Sequence, residues 1–238
     1  MRLSSRLQAI ADMVRHDSLV DIGADHGYLP IFLAKAGLIS RGLATDIAVG
    51  PVARGLANVA AHGVADIVKV RQGAGLDGVN PDFYATCTIT GMGGIEICDI
   101  LHKNLPIARF FAQLILSPQR DIPMVRRFLH NNGFFITNEL MIIDTDKYYN
   151  ILDCVPGEPL AYSEHEYAFG RQLIAKKCKI FGQFLQGEYK KSEKNIRNID
   201  KNNGRYMEIF QYMEMIREVQ NELDDSGCDS RNGGAGPA

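Results

Sequence analysis

The chain has 238 residues, of which 46% are hydrophobic and 23% charged, with a formal net charge of −2. Such a composition fits a soluble globular protein with one sizeable α/β domain plus something smaller, and argues against indiscriminate nucleic-acid binding. Five scattered cysteines, Cys87, Cys98, Cys154, Cys178 and Cys228, never form C-x-x-C, so neither a zinc site nor a disulfide framework is expected. No apolar signal core and no run of about 18 apolar residues occurs, so the expectation is a cytoplasmic protein with no metal and no membrane partner.

Leu3, Leu7, Ile10, Ala11 and Val14 recur at helical spacing and predict an opening helix that lids a sheet. Its arginines, Arg2, Arg6 and Arg15, read either as a solvated face or as an RNA contact. Ser18–Ile22 is a short apolar strand. It runs into Gly23-Ala-Asp-His-Gly27, and Pro30 to Ala36 then carries a helix, with Pro30 in its first turn and Gly37 at its end. This strand, glycine loop and helix start form the organising centre. The free N–H groups and dipole of such a helix start favour an anionic group.

A dinucleotide loop reads G-x-G-x-x-G and leaves room for a pyrophosphate at its second glycine. Here Asp25 stands at that place and would repel one. S-Adenosylmethionine has a ribose, no phosphate, and two cationic groups that tolerate a carboxylate, so Asp25 favours it over NAD. Nineteen residues beyond Gly27, the strand Gly42–Asp46 ends in an acid placed to accept hydrogen bonds from ribose hydroxyls.

A helix over 51–62 follows, with Val52, Leu56 and Val59 as its apolar stripe, and a third strand over 66–71. In a doubly wound sheet this strand end is expected beside the first. Gly73 to Leu76 would then border the adenine ring, unless they form only a tight loop; Ala74 offers the ring no side-chain partner. A fourth strand, 85–90, ends in Gly91-Met-Gly-Gly94, where glycines allow close backbone approach by a ligand. Met92 reads as site-lining or as core. Helix residues Ile95, Ile97, Ile100 and Leu101 follow, then a fifth strand over 111–116 ending in Ser117-Pro118-Gln119, and a helix marked by Val125, Phe128 and Leu129. Strands over 133–143 and 148–155 have only a short turn between them, which predicts an antiparallel pair at the sheet edge.

Pro156-Gly-Glu-Pro159 breaks the pattern and is the expected boundary between a domain of residues 1–155 and a second one of residues 156–223. From Arg171 to Lys201 there are nine Lys or Arg against three acids. Ile174, Cys178, Phe181, Leu185 and Tyr189, then Tyr206 to Leu223, recur at helical spacing around the turn Asn202-Asn-Gly204. The prediction is a long, coiled-coil-like antiparallel helical hairpin that docks RNA, or a solvated hairpin that packs or dimerises. Residues 224–238 are expected to be disordered.

Leu3-Ser-Ser-Arg-Leu7, Asp21-Ile-Gly-Ala-Asp-His-Gly-Tyr-Leu-Pro30, Gly73-Ala-Gly-Leu76, Thr90-Gly-Met-Gly-Gly94 and Leu116-Ser-Pro-Gln119 together resemble the bacterial tRNA (adenine-22-N1)-methyltransferase family of class I methyltransferases. The resemblance implies a Rossmann-like doubly wound α/β sheet with a helical C-terminal domain. It also implies methyl transfer from S-adenosylmethionine to N1 of an adenine in tRNA. A monomer or weak dimer is expected. Cofactor contacts are expected from Asp21, Gly23, Asp25, Gly27, Asp46, Gly73, Gly75, Gly91 and Met92. Asp25, His26 and Tyr28 are the catalytic candidates: Tyr28 as a platform for the flipped base, the other two for charge stabilisation, proton handling or orientation of the cofactor's methionine end. His26 could instead only cap the helix. Substrate contacts are expected from Tyr28, Ser117, Gln119, Lys190, Lys191 and Lys194. Alternative readings are a methyltransferase of another RNA base or a small molecule, and a non-catalytic RNA-binding protein with this fold.

Overall fold

The computed structural model describes residues 1–224, which divide into two compact units between Tyr162 and Ser163. The first opens with α1 (Ser5–Met13), whose N-cap Ser4 accepts a hydrogen bond from the Leu7 N–H. Then come β1 (Ser18–Ile22), α2 (Tyr28–Lys35), β2 (Arg41–Asp46), α3 (Val49–Ala61), β3 (Val68–Gln72), β4 (Thr86–Thr90), α4 (Gly94–Lys103), α5 (Leu105–Ala108), β5 (Gln113–Ser117), α6 (Ile122–Asn131), β6 (Phe134–Asp144) and β7 (Lys147–Pro156). The seven strands form one sheet in the order β3-β2-β1-β4-β5-β7-β6. Strands β1 to β5 are parallel, while β7 runs antiparallel to both β5 and β6, as the missing helix between the last two strands predicts.

Two apolar layers cover the two faces. Alternate residues of β1 point to opposite sides: Leu19 joins Ile31, Leu33 and Val59 under α2 and α3, and Val20 and Ile22 join Ile97, Leu101 and Val125 under α4 and α6. Each fully buried aliphatic side chain of this kind contributes about 1.5–3 kcal/mol. Helix α1 adds Ile10, Ala11 and Met13 to the first layer, over the antiparallel edge.

Several sequence expectations change. Strand β3 pairs with β2 alone and lies at the sheet edge, so β4, not β3, neighbours β1; the crossover from β3 passes over two strands and puts the switch point between β1 and β4. Leu56 is exposed, and Gly55 takes the buried place between Val52 and Val59, where a Cβ would come within 3.1 Å of Val70. Ile95 also faces outward. The boundary falls after Tyr162 instead of at residue 156, because Tyr162 still packs on the first unit's core and lies edge-on to His130.

The second unit contains α7 (Glu164–Phe169), α8 (Arg171–Lys176), α9 (Lys179–Ile196) and α10 (Gly204–Asp224). Ser163 and Glu166 form a capping box at the start of α7. The stripe read as one continuous helix from Arg171 is broken, because Lys177 is left-handed at φ +51 and Cys178 is extended at the N-cap of α9. Helices α9 and α10 form the predicted hairpin, burying Phe181 and Leu185 on one and Ile216 and Val219 on the other. The tail expected to be disordered lies, from residue 225 on, outside the described residues.

Candidate functional site

The parallel strands β1, β2 and β4 deliver their carboxyl ends to one place, where the chain between β1 and α2 must turn tightly. Gly23 does so at φ +69, and a Cβ there would sit 2.0 Å from the Met92 methyl group. The positive φ favours glycine, and the close approach puts Met92 from the β4 loop directly over the β1 loop. The Ala24 N–H donates to the Thr45 carbonyl at 3.0 Å, which ties the loop to β2. At the end of β2, the Asp46 carboxylate accepts hydrogen bonds from the N–H groups of Asp25 (3.3 Å) and Ala48 (2.9 Å), which fix its direction.

A cavity of about 590 Å³ opens here, lined by Gly23, Asp46, Gly73 to Gly75, Gly91 and Met92. Six of the nine expected cofactor residues therefore meet in one space. Gly73 and Gly75 reach it although β3 is an edge strand, because the Gly73 N–H donates to the Asp46 carbonyl at 2.9 Å and folds the loop back over β2. Ile47 and Ile95, exposed apolar side chains not among the expected site residues, also line it. An apolar residue directly after the strand-end acid was the available signal for Ile47.

A second cavity of about 270 Å³ shares Gly23, Thr90 and Gly91 with the first and is otherwise lined by Arg6, Asp21, Asp25, His26, Tyr28 and Gln119, among others. Asp21 is buried and accepts a hydrogen bond from the Thr88 hydroxyl at 2.7 Å. Burial pushes its pKa up to about 7, against the opposing pull of that hydrogen bond and of the Arg6 guanidinium. The His26 and Tyr28 rings stack, with centroids 5.0 Å apart and planes 7° apart, and Tyr28 stays 40% exposed. The Gln119 N–H donates to the Met92 carbonyl at 2.9 Å and holds the β5 loop against the β4 loop.

Several expected roles change with this geometry. Asp25, left-handed at φ +47, receives a hydrogen bond from Arg54 at 2.6 Å, so its charge is already matched by α3 instead of being held for a cationic ligand. His26 does not cap α2, whose N-cap is Gly27 with no side-chain hydrogen bond. Gly27 lines neither cavity; its φ of +68 and its closeness to Ile31, Ala44 and Gly55 make it a turn and packing glycine. Ser117 is wholly buried and lines neither cavity, so a base cannot reach its hydroxyl. Lys190, Lys191 and Lys194 lie exposed on α9 in the second unit, with Lys191 3.4 Å from Glu188.

The opening arginines also divide. Arg15 stays exposed while pairing with the buried Asp153, whereas Arg6 is half-buried with its guanidinium 5.0 Å from the Tyr149 ring centre and leaves the solvated face. The signal for Arg6 was present: it stands four residues before Ile10, beside the buried stripe of α1.

Residues 3–152 match the family described as "Methyltransferase domain". The chain is 30% identical over 159 residues to the tRNA (adenine(22)-N(1))-methyltransferase of Bacillus subtilis, covering 66% of this chain and 67% of that one. A Streptococcus pneumoniae crystal structure, described as a candidate tRNA (m1A22) methyltransferase, superposes with a TM-score of 0.88 at 32% identity, covering 92% of this chain and 99% of that one. An M. capricolum structure solved with S-adenosyl-homocysteine gives a TM-score of 0.86 at 25% identity, covering 94% of this chain and 100% of that one. With a family match over more than half its length and full-length structural likeness, the chain belongs to the class I methyltransferases and, among them, to the tRNA (adenine-22-N1)-methyltransferase family.

Proposed function

We propose that the protein transfers a methyl group from S-adenosylmethionine to N1 of adenine 22 in tRNA. The observation that carries this reading is the pair of adjoining cavities meeting at Gly23, Thr90 and Gly91, one with a fixed carboxylate, the other with a stacked aromatic pair. The larger one suits the nucleoside part of the cofactor. Asp46 has lone pairs left for ribose hydroxyls after its two backbone hydrogen bonds, and the glycine backbones of both loops leave room for close approach.

When bound, S-adenosylmethionine supplies an electrophilic methyl group, which adenine N1 takes up with its free lone pair, leaving a neutral thioether and a cationic base. The protein's task is alignment and exclusion of water, because the nucleophile needs no deprotonation. The base must leave its stack to be reached. Tyr28 offers it an exposed ring braced by His26, and Gln119 offers a donor and an acceptor to its edge. Asp21, at the smaller cavity, would offset the positive charge that forms on the base.

Lys190, Lys191 and Lys194 on α9 would neutralise tRNA phosphates, with the α9–α10 hairpin as docking element and the first unit as catalytic domain. The enzyme would act in the cytoplasm as a monomer or weak dimer; no helix among the described residues is long and apolar enough to cross a membrane.

The test is to react the protein with unmodified tRNA and labelled donor, digest the product and identify the nucleoside. N1-methyladenosine that disappears when adenine 22 is replaced is the expected result. Label on another base or on a small molecule, or donor binding with no turnover on any tRNA, would select one of the alternatives.

A further inference from the structure

Gln119 and Arg120 follow one another in the loop after β5, yet Gln119 lines the smaller cavity and Arg120 the larger. Two backbone hydrogen bonds hold this loop against the β4 loop: the Gln119 N–H donates to the Met92 carbonyl at 2.9 Å, and the Gly94 N–H donates to the Arg120 carbonyl at 3.1 Å. Their side chains then address alternate glycines. The Gln119 amide nitrogen lies 3.9 Å from the place a Cβ on Gly91 would occupy, and the Arg120 Nε and Nη2 lie 3.0 and 3.3 Å from the same place on Gly93. The guanidinium thus rests on bare backbone, two residues from the Gly91 at which the cavities adjoin.

That charge is nearly free. The Arg120 side chain is 76% exposed, and the one carboxylate within 4.0 Å of it among the described residues is that of its neighbour Asp121, at 3.6 Å. An exposed pair at such a distance contributes little. The adenosine part of the cofactor, assigned to the larger cavity, carries no negative charge and gives a guanidinium no partner. Glu96 and Asp99 line the α4 side of that cavity and repel anions, so an incoming polyanion is turned from α4 towards the β5 loop.

We propose that Arg120 binds a backbone phosphate of the target nucleotide, a positioning role that rests on the proposed methylation of tRNA. A flipped base held by Tyr28 and Gln119 keeps its sugar and phosphates outside the smaller cavity. The loop that meets the base through Gln119 then meets a phosphate through the next residue. A guanidinium suits the task, because its planar fork matches two phosphate oxygens. Fixing the phosphate restricts the swing of the flipped nucleotide about its backbone, which is the alignment that methyl transfer needs.

Filter-binding titrations of tRNA over a range of salt, with the wild type and Arg120→Gln, read this charge directly. The variant is expected to bind tRNA about threefold to tenfold more weakly, with the slope of log affinity on log salt reduced by about one. Its melting temperature and its calorimetric affinity for S-adenosylmethionine should not change. Arg120→Lys keeps the charge and should keep the slope. Location is read with tRNAs carrying one neutral methylphosphonate linkage on the 5′ or the 3′ side of adenine 22. One of the two should weaken the wild type as much as the Gln substitution does and leave the variant unaffected, because both changes remove the same contact. Additive losses with both linkages overturn the proposal, since Arg120 then acts elsewhere. So does an Arg120→Gln variant with unchanged tRNA affinity and slope, or one that loses cofactor affinity instead, which marks a part of the cofactor cavity. A wild type that binds tRNA at no salt concentration refutes the tRNA reading itself, and this role falls with it.

Discussion

The rings of His26 and Tyr28 lie nearly parallel, 7° apart, with their centroids separated by 5.0 Å. With only Gly27 between them in sequence, they form a single unit that braces the exposed Tyr28 ring, and base–aromatic stacking is worth about 1–3 kcal/mol. Tyr28→Ala should therefore cut kcat/KM on tRNA by about tenfold or more while leaving cofactor affinity nearly unchanged. Tyr28→Phe should keep most activity, and His26→Ala should give an intermediate loss by freeing the ring. Single-turnover kinetics with separate cofactor titrations check this. A large loss in the Phe variant would move the role from the ring to the hydroxyl.

Asp46 is oriented by two backbone N–H groups at the rim of the larger cavity. Charge-assisted hydrogen bonds to ribose contribute about 1.5–3 kcal/mol each, so Asp46→Ala should weaken cofactor binding at least tenfold. The same contacts hold the loop in place, so Asp46→Asn, which keeps one acceptor, should lose less. Unchanged calorimetric affinity in the Ala variant would sink this placement.

Asp21 carries a pH signature. Its folded pKa of about 7 lies above the ordinary 3.8, so the folded state binds its proton more tightly than the unfolded chain does. The resulting stability is complete below pH 3.8 and is lost as pH rises to about 7. Across that window the difference is on the order of 4 kcal/mol. Asp21→Asn should lack this slope, so its unfolding midpoint in denaturant should fall less between pH 5 and 8 than that of the wild type. Parallel pH profiles for the two proteins would show that Asp21 does not titrate there.

On α9, Lys190 and Lys194 stand exposed, and the Lys191–Glu188 pair is too exposed to contribute much. Changing Lys190, Lys191 and Lys194 to Glu should weaken tRNA binding and flatten its dependence on salt, with folding and cofactor affinity unchanged. Filter-binding titrations over a range of salt decide it. Unaltered saturation by tRNA in the triple variant would leave the basic face as a solubility feature only.

The strand–glycine loop–helix unit around Gly23, the acid at the end of β2, the glycines after β4 and the antiparallel edge were all legible in the sequence. Each is set by neighbours within a few residues: turn chemistry, strand alternation, or the lack of a helix between two strands. The tertiary structure alone decided which side chains meet across long separations. Arg54 reaches Asp25 from α3 and removes its free charge, Met92 from the β4 loop closes over Gly23, and Arg6 turns inward because α1 packs on the antiparallel edge. Strand order belongs to the same class. Local periodicity cannot distinguish an edge strand such as β3 from a central one, and complete burial under the rest of the sheet is what withdraws Ser117 from the site. Propensity acts along the chain, whereas burial and charge pairing act through space, so the loops of this site could be read from residue order and the electrostatics inside them could not.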